Sequence, residues 1–241
     1  MAPVSVLELL LAAAILAVGG AIQGSLGFGS MIVAAPLLVL IDPDLIPAPG
    51  LIAASVLVVL IAWRDRDAID TAGVGWTVAG RIPGTLLGGA AVAAFSQTAL
   101  EVMFGVMLLA GVLLSAGTYH FRRTPALLLG VGGLSGLMGT ATSVGGPPLA
   151  LAYQREAGPM IRGTLSFIFV IGSALSIATL AAFGELGADE LWAGLAISPG
   201  IVAGFLVSSR VAPALDARSL RPAILGFAAV AAVAVLVKAA M

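Results

Sequence analysis

Long apolar stretches alternate with short polar interruptions along this chain. They fall at about 4–23, 28–41, 45–63, 72–94, 98–118, 125–138, 146–154, 162–183, 190–209 and 219–238. At the rise of an α-helix, the stretches near 20 residues are long enough to cross a bilayer. The stretches at 28–41, 125–138 and 146–154 are shorter than that. Gly19-Gly20-Ala21-Ile22-Gln23-Gly24-Ser25-Leu26-Gly27-Phe28-Gly29-Ser30 joins the first two stretches, putting glycines and polar side chains into otherwise hydrocarbon-like sequence. A second copy runs over 130–148, through Gly136, Gly139, Thr140, Thr142, Ser143, Gly145, Gly146, Pro147 and Pro148. Helix breakers inside an apolar run are costly unless the broken backbone lines a protected cavity. The pattern predicts, in each copy, either a helical hairpin that dips in and returns or one helix broken at mid-membrane.

The chain also repeats itself. Sliding it by 116 residues brings Gly20 onto Gly136, Gly29 onto Gly145 and Ala34 onto Ala150. The same offset, without a gap, brings Trp76 onto Trp192, Pro83 onto Pro199, Gly84 onto Gly200 and Gly88 onto Gly204. The chain therefore divides into two homologous transmembrane repeats, 1–118 and 119–241, within one integral membrane domain.

Composition fixes the class as an all-α polytopic membrane protein: 60% of the 241 residues are hydrophobic and 10% charged, where soluble domains carry about 25% charged residues. The net charge of -1 offers no basic face to nucleic acid. The absence of cysteine rules out disulfides and thiolate chemistry, and no cofactor is expected. Met1 to Leu7 carries no positive side chain, so the first apolar run reads as part of the mature protein rather than a cleaved signal.

Charge then orients the segments. Loops 64–70, 118–124, 155–162 and 210–221 hold nine of the eleven Lys and Arg residues, whereas 42–44, 95–98 and 184–190 hold none. The positive-inside rule makes the first set cytoplasmic. Repeat-equivalent loops then lie on opposite sides, which is the signature of inverted-topology repeats. Such repeats need an odd number of crossings in each half. Three full helices plus one glycine-tipped hairpin satisfy this, with the hairpin tips meeting near mid-membrane.

Broken helices bring unpaired N–H groups and helix N-termini into the membrane interior, an arrangement that suits an anion. The donors on offer are Gln23, Ser25 and Ser30 in the first copy and Thr140, Thr142 and Ser143 in the second. Gly27, Phe28, Gly29, Gly145, Gly146 and Pro147 complete the candidate substrate site. The competing reading is close helix packing by small residues. Packing is the better reading for Gly20/Gly24, Gly132/Gly136 and the two Pro-Gly-x3-Gly elements at 83–88 and 199–204. Arg81 is the one charge deep in an apolar segment, and it reads either as counter-charge to an anionic substrate or as an interfacial residue that snorkels. Arg162 reads as a topological anchor, and Glu8 and Glu101 as interfacial residues or proton-coupling carboxylates. His120, the only histidine, falls in a basic loop, and no apolar segment carries a paired His/Glu or Asp/Asp set, so an enzyme is not expected.

At Gly27-Phe28-Gly29-Ser30-Met31 with Pro36 downstream, and at Ser143-Val144-Gly145-Gly146-Pro147-Pro148, the chain resembles the TauE/SafE family of bacterial membrane permeases. The Pro-Gly-x3-Gly elements and Arg162 at the opening of its helix share in the likeness, which covers essentially the whole chain. Ser30, Phe28 and Ser143 depart from the family's usual glycines. The resemblance implies a multi-pass protein of the bacterial cytoplasmic (inner) membrane that moves small sulfur oxyanions or organosulfonates, such as sulfite, thiosulfate or sulfoacetate. Alternating access between the halves is the expected motion. A non-transporting scaffold and an uncoupled channel are the alternatives. The expected partners are the anion, the lipid bilayer and a second copy of the chain in a homodimer.

Overall fold

The computed structural model describes residues 5–117, 122–153, 156, 158–211 and 217–240. His120 and Arg155 lie outside them, as do the side chains of Arg218 and Arg221. Among the described residues ten α-helices follow one another: α1 (Val6–Leu26), α2 (Ser30–Ile41), α3 (Ala48–Arg64), α4 (Val74–Ala94), α5 (Gln97–Ala116), α6 (Pro125–Thr142), α7 (Gly146–Tyr153), α8 (Gly158–Ala182), α9 (Ala188–Val211) and α10 (Ala217–Ala239). Short 3-10 turns stand before and after α3. No strand occurs among the described residues. Among the described residues seven helices are long and apolar enough to cross a membrane: α1, α3 with its preceding turn, α5, α6, α8, α9 and α10. α4 is equally long but rich in glycine and carries Arg81.

Local sequence explains several boundaries. Ser5 and Glu8 form a reciprocal capping box at the start of α1, in which the Ser5 N–H donates to Glu8 Oε2 at 2.7 Å. Ser96 caps α5, and Thr124 caps α6 with Pro125 at its first position. One boundary differs from expectation. The apolar run expected to stop at 138 continues as helix to Thr142, because the Thr142 hydroxyl donates to the Met138 carbonyl (2.6 Å) and is accommodated inside the helix.

Helix ends at the two glycine turns are 116 residues apart. α1 ends at 26 and α6 at 142, and α2 begins at 30 and α7 at 146. The packing then crosses between the halves. α1 lies most extensively on α9, and α4 on α6. Glycine makes both contacts possible: a Cβ on Gly84 would sit 1.9 Å from the Gly133 carbonyl oxygen, and one on Gly204 1.9 Å from that of Ala17. Backbones this close are the small-residue mode of helix association in lipid. The contacts ascend together along both chains, Thr77 on Gly132 and Arg81 on Gly136, so α4 and α6 run parallel. α1 and α9 do likewise, through Ala13 on Gly200 and Ala17 on Gly204.

Repeat-equivalent helices behave differently. α5 and α10 are antiparallel, with Glu101 near Lys238 and Gly105 against Leu236 and Ala232. The C-terminal end of α3 meets the N-terminal end of α8, where Arg162 pairs with Asp65. Leu16, Leu38, Leu57, Ile61 and Ile201 are fully buried in the central core. Leu7, Leu113, Leu206 and Val230 are exposed on the outside, as a lipid-facing surface requires.

The arginine–carboxylate pairs gather at one end. Arg64 and Arg162 bind Asp65, and Arg123 bridges Asp70 (2.9 Å) and Glu156 (2.8 Å). These residues come from the segments that the positive-inside rule assigns to the cytoplasm. Trp76 and Trp192, the repeat-equivalent tryptophans, are both exposed near the N-terminal ends of their helices.

Candidate functional site

α1 stops because Gly27 turns left-handed (φ 92°), its N–H closing on the Gln23 carbonyl at 2.7 Å. Gly29 is left-handed again (φ 107°) and opens α2. A β-carbon is disfavoured at both positions, which is why the chain has glycine there. In the second copy Ser143 takes the same turn (φ 60°) and is the one non-glycine with positive φ among the described residues. Its hydroxyl is tied down to the Pro47 carbonyl at 2.8 Å. Both chains then fold back on themselves: a Cβ on Gly19 would meet the Ser30 carbonyl oxygen at 2.9 Å, and one on Gly145 the Ser135 carbonyl oxygen at 2.8 Å.

The two turns meet. A Cβ on Gly146 would lie 3.7 Å from Phe28 Cβ. Beside this contact is a cavity of about 60 Å³, room for roughly four waters at ~10–15 Å³ each. The first copy gives it Gln23, Phe28, Gly29 and Ser30, and the second gives Ser143, Gly145 and Gly146. Leu51, Ala54, Ser55 and Val58 of α3 face Phe169 and Ser173 of α8 across it, and Arg81 enters from α4.

Arg81 dominates the electrostatics. It is 2% exposed, and its Nη1 donates to Ser135 Oγ at 2.7 Å. The Ser135 hydroxyl in turn donates to the Gly145 carbonyl at 2.6 Å, which links the charge to the second turn. Among the described residues the Arg81 Nε has no hydrogen-bond partner. The guanidinium carbon stands 5.7 Å from the centre of the Phe169 ring. On its other side it rests on backbone, for a Cβ on Gly172 would come 2.2 Å from Nε. Among the described residues, no carboxylate lines the cavity. A buried charge without a counter-ion costs several kcal/mol, so this geometry favours arrival of a negative charge.

Neutral donors surround it. Gln23 Oε1 accepts both the N–H and the hydroxyl of Ser30. The backbone N–H groups of Phe28, Gly29, Gly145 and Gly146 donate to no other described group. Ser55 and Ser173 donate to carbonyls of their own helices at 2.7 and 3.2 Å.

Five candidate residues lie off the cavity. Ser25 donates to the Ala21 carbonyl (2.8 Å) and faces Ser208 of α9. Gly27 packs on the backbone of Arg162. Thr140 shares a hydrogen bond with Ser176 (2.7 Å), and Thr142 serves its own helix end. Pro147 packs on Gly111 of α5. The reason is helical angle: residues two apart differ by about 200°, so Gln23 and Ser25 cannot face one cavity. The snorkelling alternative for Arg81 does not fit its burial. Arg162 binds Asp65 at 3.0 Å, and Glu101 faces Lys238 at 3.8 Å. Sequence reasoning missed Ser135, Gly172 and the α3 and α8 walls. A serine one turn before Gly139 on the packing face was the available signal for Ser135. Among the described residues, no cluster of metal-ligating side chains occurs.

Spanning helices around a cavity formed where two helices break define a multi-pass membrane protein. The family model described as sulfite exporter TauE/SafE matches residues 11–235. The chain belongs to this family, which is one of membrane transporters rather than enzymes. No curated protein and no solved structure gives a match.

Proposed function

We propose that this protein is a secondary carrier for a small sulfur-containing anion, and that the cavity between the two turns is its substrate site. Sulfite, thiosulfate and small organosulfonates are the candidate substrates, and the bacterial cytoplasmic membrane is the setting. The observation that carries the reading is Arg81: buried, linked to the second turn through Ser135, and without a carboxylate. Gln23, Ser30 and the N–H groups of Phe28, Gly29, Gly145 and Gly146 complete the coordination.

The carrier is built from inverted-topology repeats, 1–118 and 119–241. Antiparallel packing of α5 on α10, and of the α3 end on the α8 start, supports that arrangement. Movement is alternating access, with one set of helices rocking against the other. At the charged end, Arg162–Asp65 and the bond from Arg64 Nη2 to the Gly24 carbonyl (2.6 Å) close the path and have to break when the cavity opens there. Uptake of radiolabelled sulfite into proteoliposomes tests the carrier. Saturable flux is expected, and linear, non-saturable flux would point to an uncoupled channel. Ser30→Leu and Gly145→Leu are each expected to abolish ligand-dependent thermal stabilisation while the protein still inserts. Unchanged stabilisation in both would move the site elsewhere.

A further inference from the structure

The charge inventory of the cavity is unusually simple. Among the described residues that line it, Arg81 alone is charged; no described Asp, Glu, Lys or His reaches it from α1, α2, α3, α6, α7 or α8. The guanidinium is held from moving by Ser135 on Nη1, the Phe169 ring and the bare backbone of Gly172. It carries a full charge at any physiological pH. One face of it, the Nε, is buried and has no partner among the described residues. The other donors, Gln23 and the backbone N–H groups at the two turns, are neutral.

From this inventory we infer that the site selects monoanions over dianions: it accepts hydrogensulfite or a short-chain sulfonate and rejects sulfate, sulfite dianion and other doubly charged oxyanions. The inference rests on the anion-site reading above. The cost of stripping water from an ion grows as the square of its charge, whereas its attraction to one fixed guanidinium grows only in proportion. A monoanion leaves the pocket neutral. A dianion leaves one buried negative charge that only neutral dipoles can oppose. The apolar wall of Leu51, Ala54 and Val58 adds no compensation, although it can receive a methyl-sized substituent. The volume of about 60 Å³ limits that substituent to a short one.

The test uses the full-length protein in nanodiscs, with titration calorimetry and thermal shift at constant ionic strength. The probes are methanesulfonate, a monoanion at every accessible pH, and sulfate, a dianion throughout. Methanesulfonate is expected to bind at least about tenfold more tightly than sulfate. Sulfite supplies an internal control, since hydrogensulfite gives way to the dianion as the pH rises past neutrality. Its apparent affinity is expected to fall in step with the hydrogensulfite fraction, while that of methanesulfonate stays level. Arg81→Lys is expected to keep the preference for monoanions. Sulfate binding as tightly as methanesulfonate, or sulfite affinity that holds or rises with pH, would overturn charge selection and leave the anion site standing. If neither anion binds, the anion site itself is wrong and this inference falls with it.

Discussion

α4 and α9 carry the same Pro-Gly-x3-Gly element, and each lays it against the first helix of the opposite half. Two residues before the proline they part company: α4 has Arg81 and α9 has Ile197, both buried. The serine that holds Arg81, Ser135, corresponds to Gly19, and the glycine that makes room for it, Gly172, to Val56. The turns show the same contrast, with Gly27 facing Ser143 in the alignment and Gln23 facing Gly139. At the charged end, Asp70, Arg123 and Glu156 have Leu186, Leu7 and Leu40 as their counterparts. A shared backbone frame thus carries unlike chemistry in its two copies. What is repeated is how the helices pack and break; what is unique is the charge.

The sharpest way to break this comparison is at its most unequal pair. Arg81→Gln is expected to weaken anion binding by about 2–5 kcal/mol, the cost of truncating one buried charged partner. Ile197→Val should leave the binding constant alone and lower stability by about 1 kcal/mol. An unchanged dissociation constant in Arg81→Gln would remove Arg81 from the site.

Where the halves agree, mutation should treat them alike. Gly84→Ala and Gly204→Ala each drive a methyl onto a carbonyl 1.9 Å away, and each is expected to cost about 1–3 kcal/mol in thermal or denaturant unfolding. A large effect in one and none in the other would show that only one crossed pair holds the fold.

The turns give a smaller contrast. Gly27→Ser places a side chain at φ 92° and against Arg162, and should cost about 1–2 kcal/mol. Ser143→Gly relieves a left-handed serine but gives up its bond to Pro47, so the two effects offset and stability should stay within about 0.5 kcal/mol.

The smallest effect belongs to the ion pairs of the charged end. The Ala72 N–H and Arg123 hold the Asp70 carboxyl below the usual carboxylate range. Its contribution is therefore fully present above about pH 4, the unfolded value, and is lost as pH falls through the lower folded value. Asp70→Asn should flatten that acid limb of the stability profile, which melting curves over an acid pH series would reveal.

The ten helices were legible because lipid imposes long apolar runs and punishes every interruption. Glycine at 27 and 29 was therefore readable as a break before any contact was known. Ser135 and Gly172 were not, because their roles arise only when α4, α6 and α8 pack, and neighbours distant along the chain leave no local pattern. The same limit applies to Ser25, Thr140 and Thr142. A hydroxyl in an apolar run has the same appearance whether it faces a ligand or bonds its own helix, and these three bond protein partners.

The crossed pairing of α1 with α9 and α4 with α6 has a consequence for biogenesis. Ala13 and Ala17 cannot meet Gly200 and Gly204 until almost the whole chain has been made. At translation rates of about 5–20 residues per second, α1 waits roughly 10–40 s in the membrane for its partner. During that interval the glycine face of α1 is a bare groove, open to lipid or to the insertion machinery. The first half emerges as an incomplete unit that the second must interlock with. A gene cut between the halves should yield stable protein only when both fragments are made in the same cell.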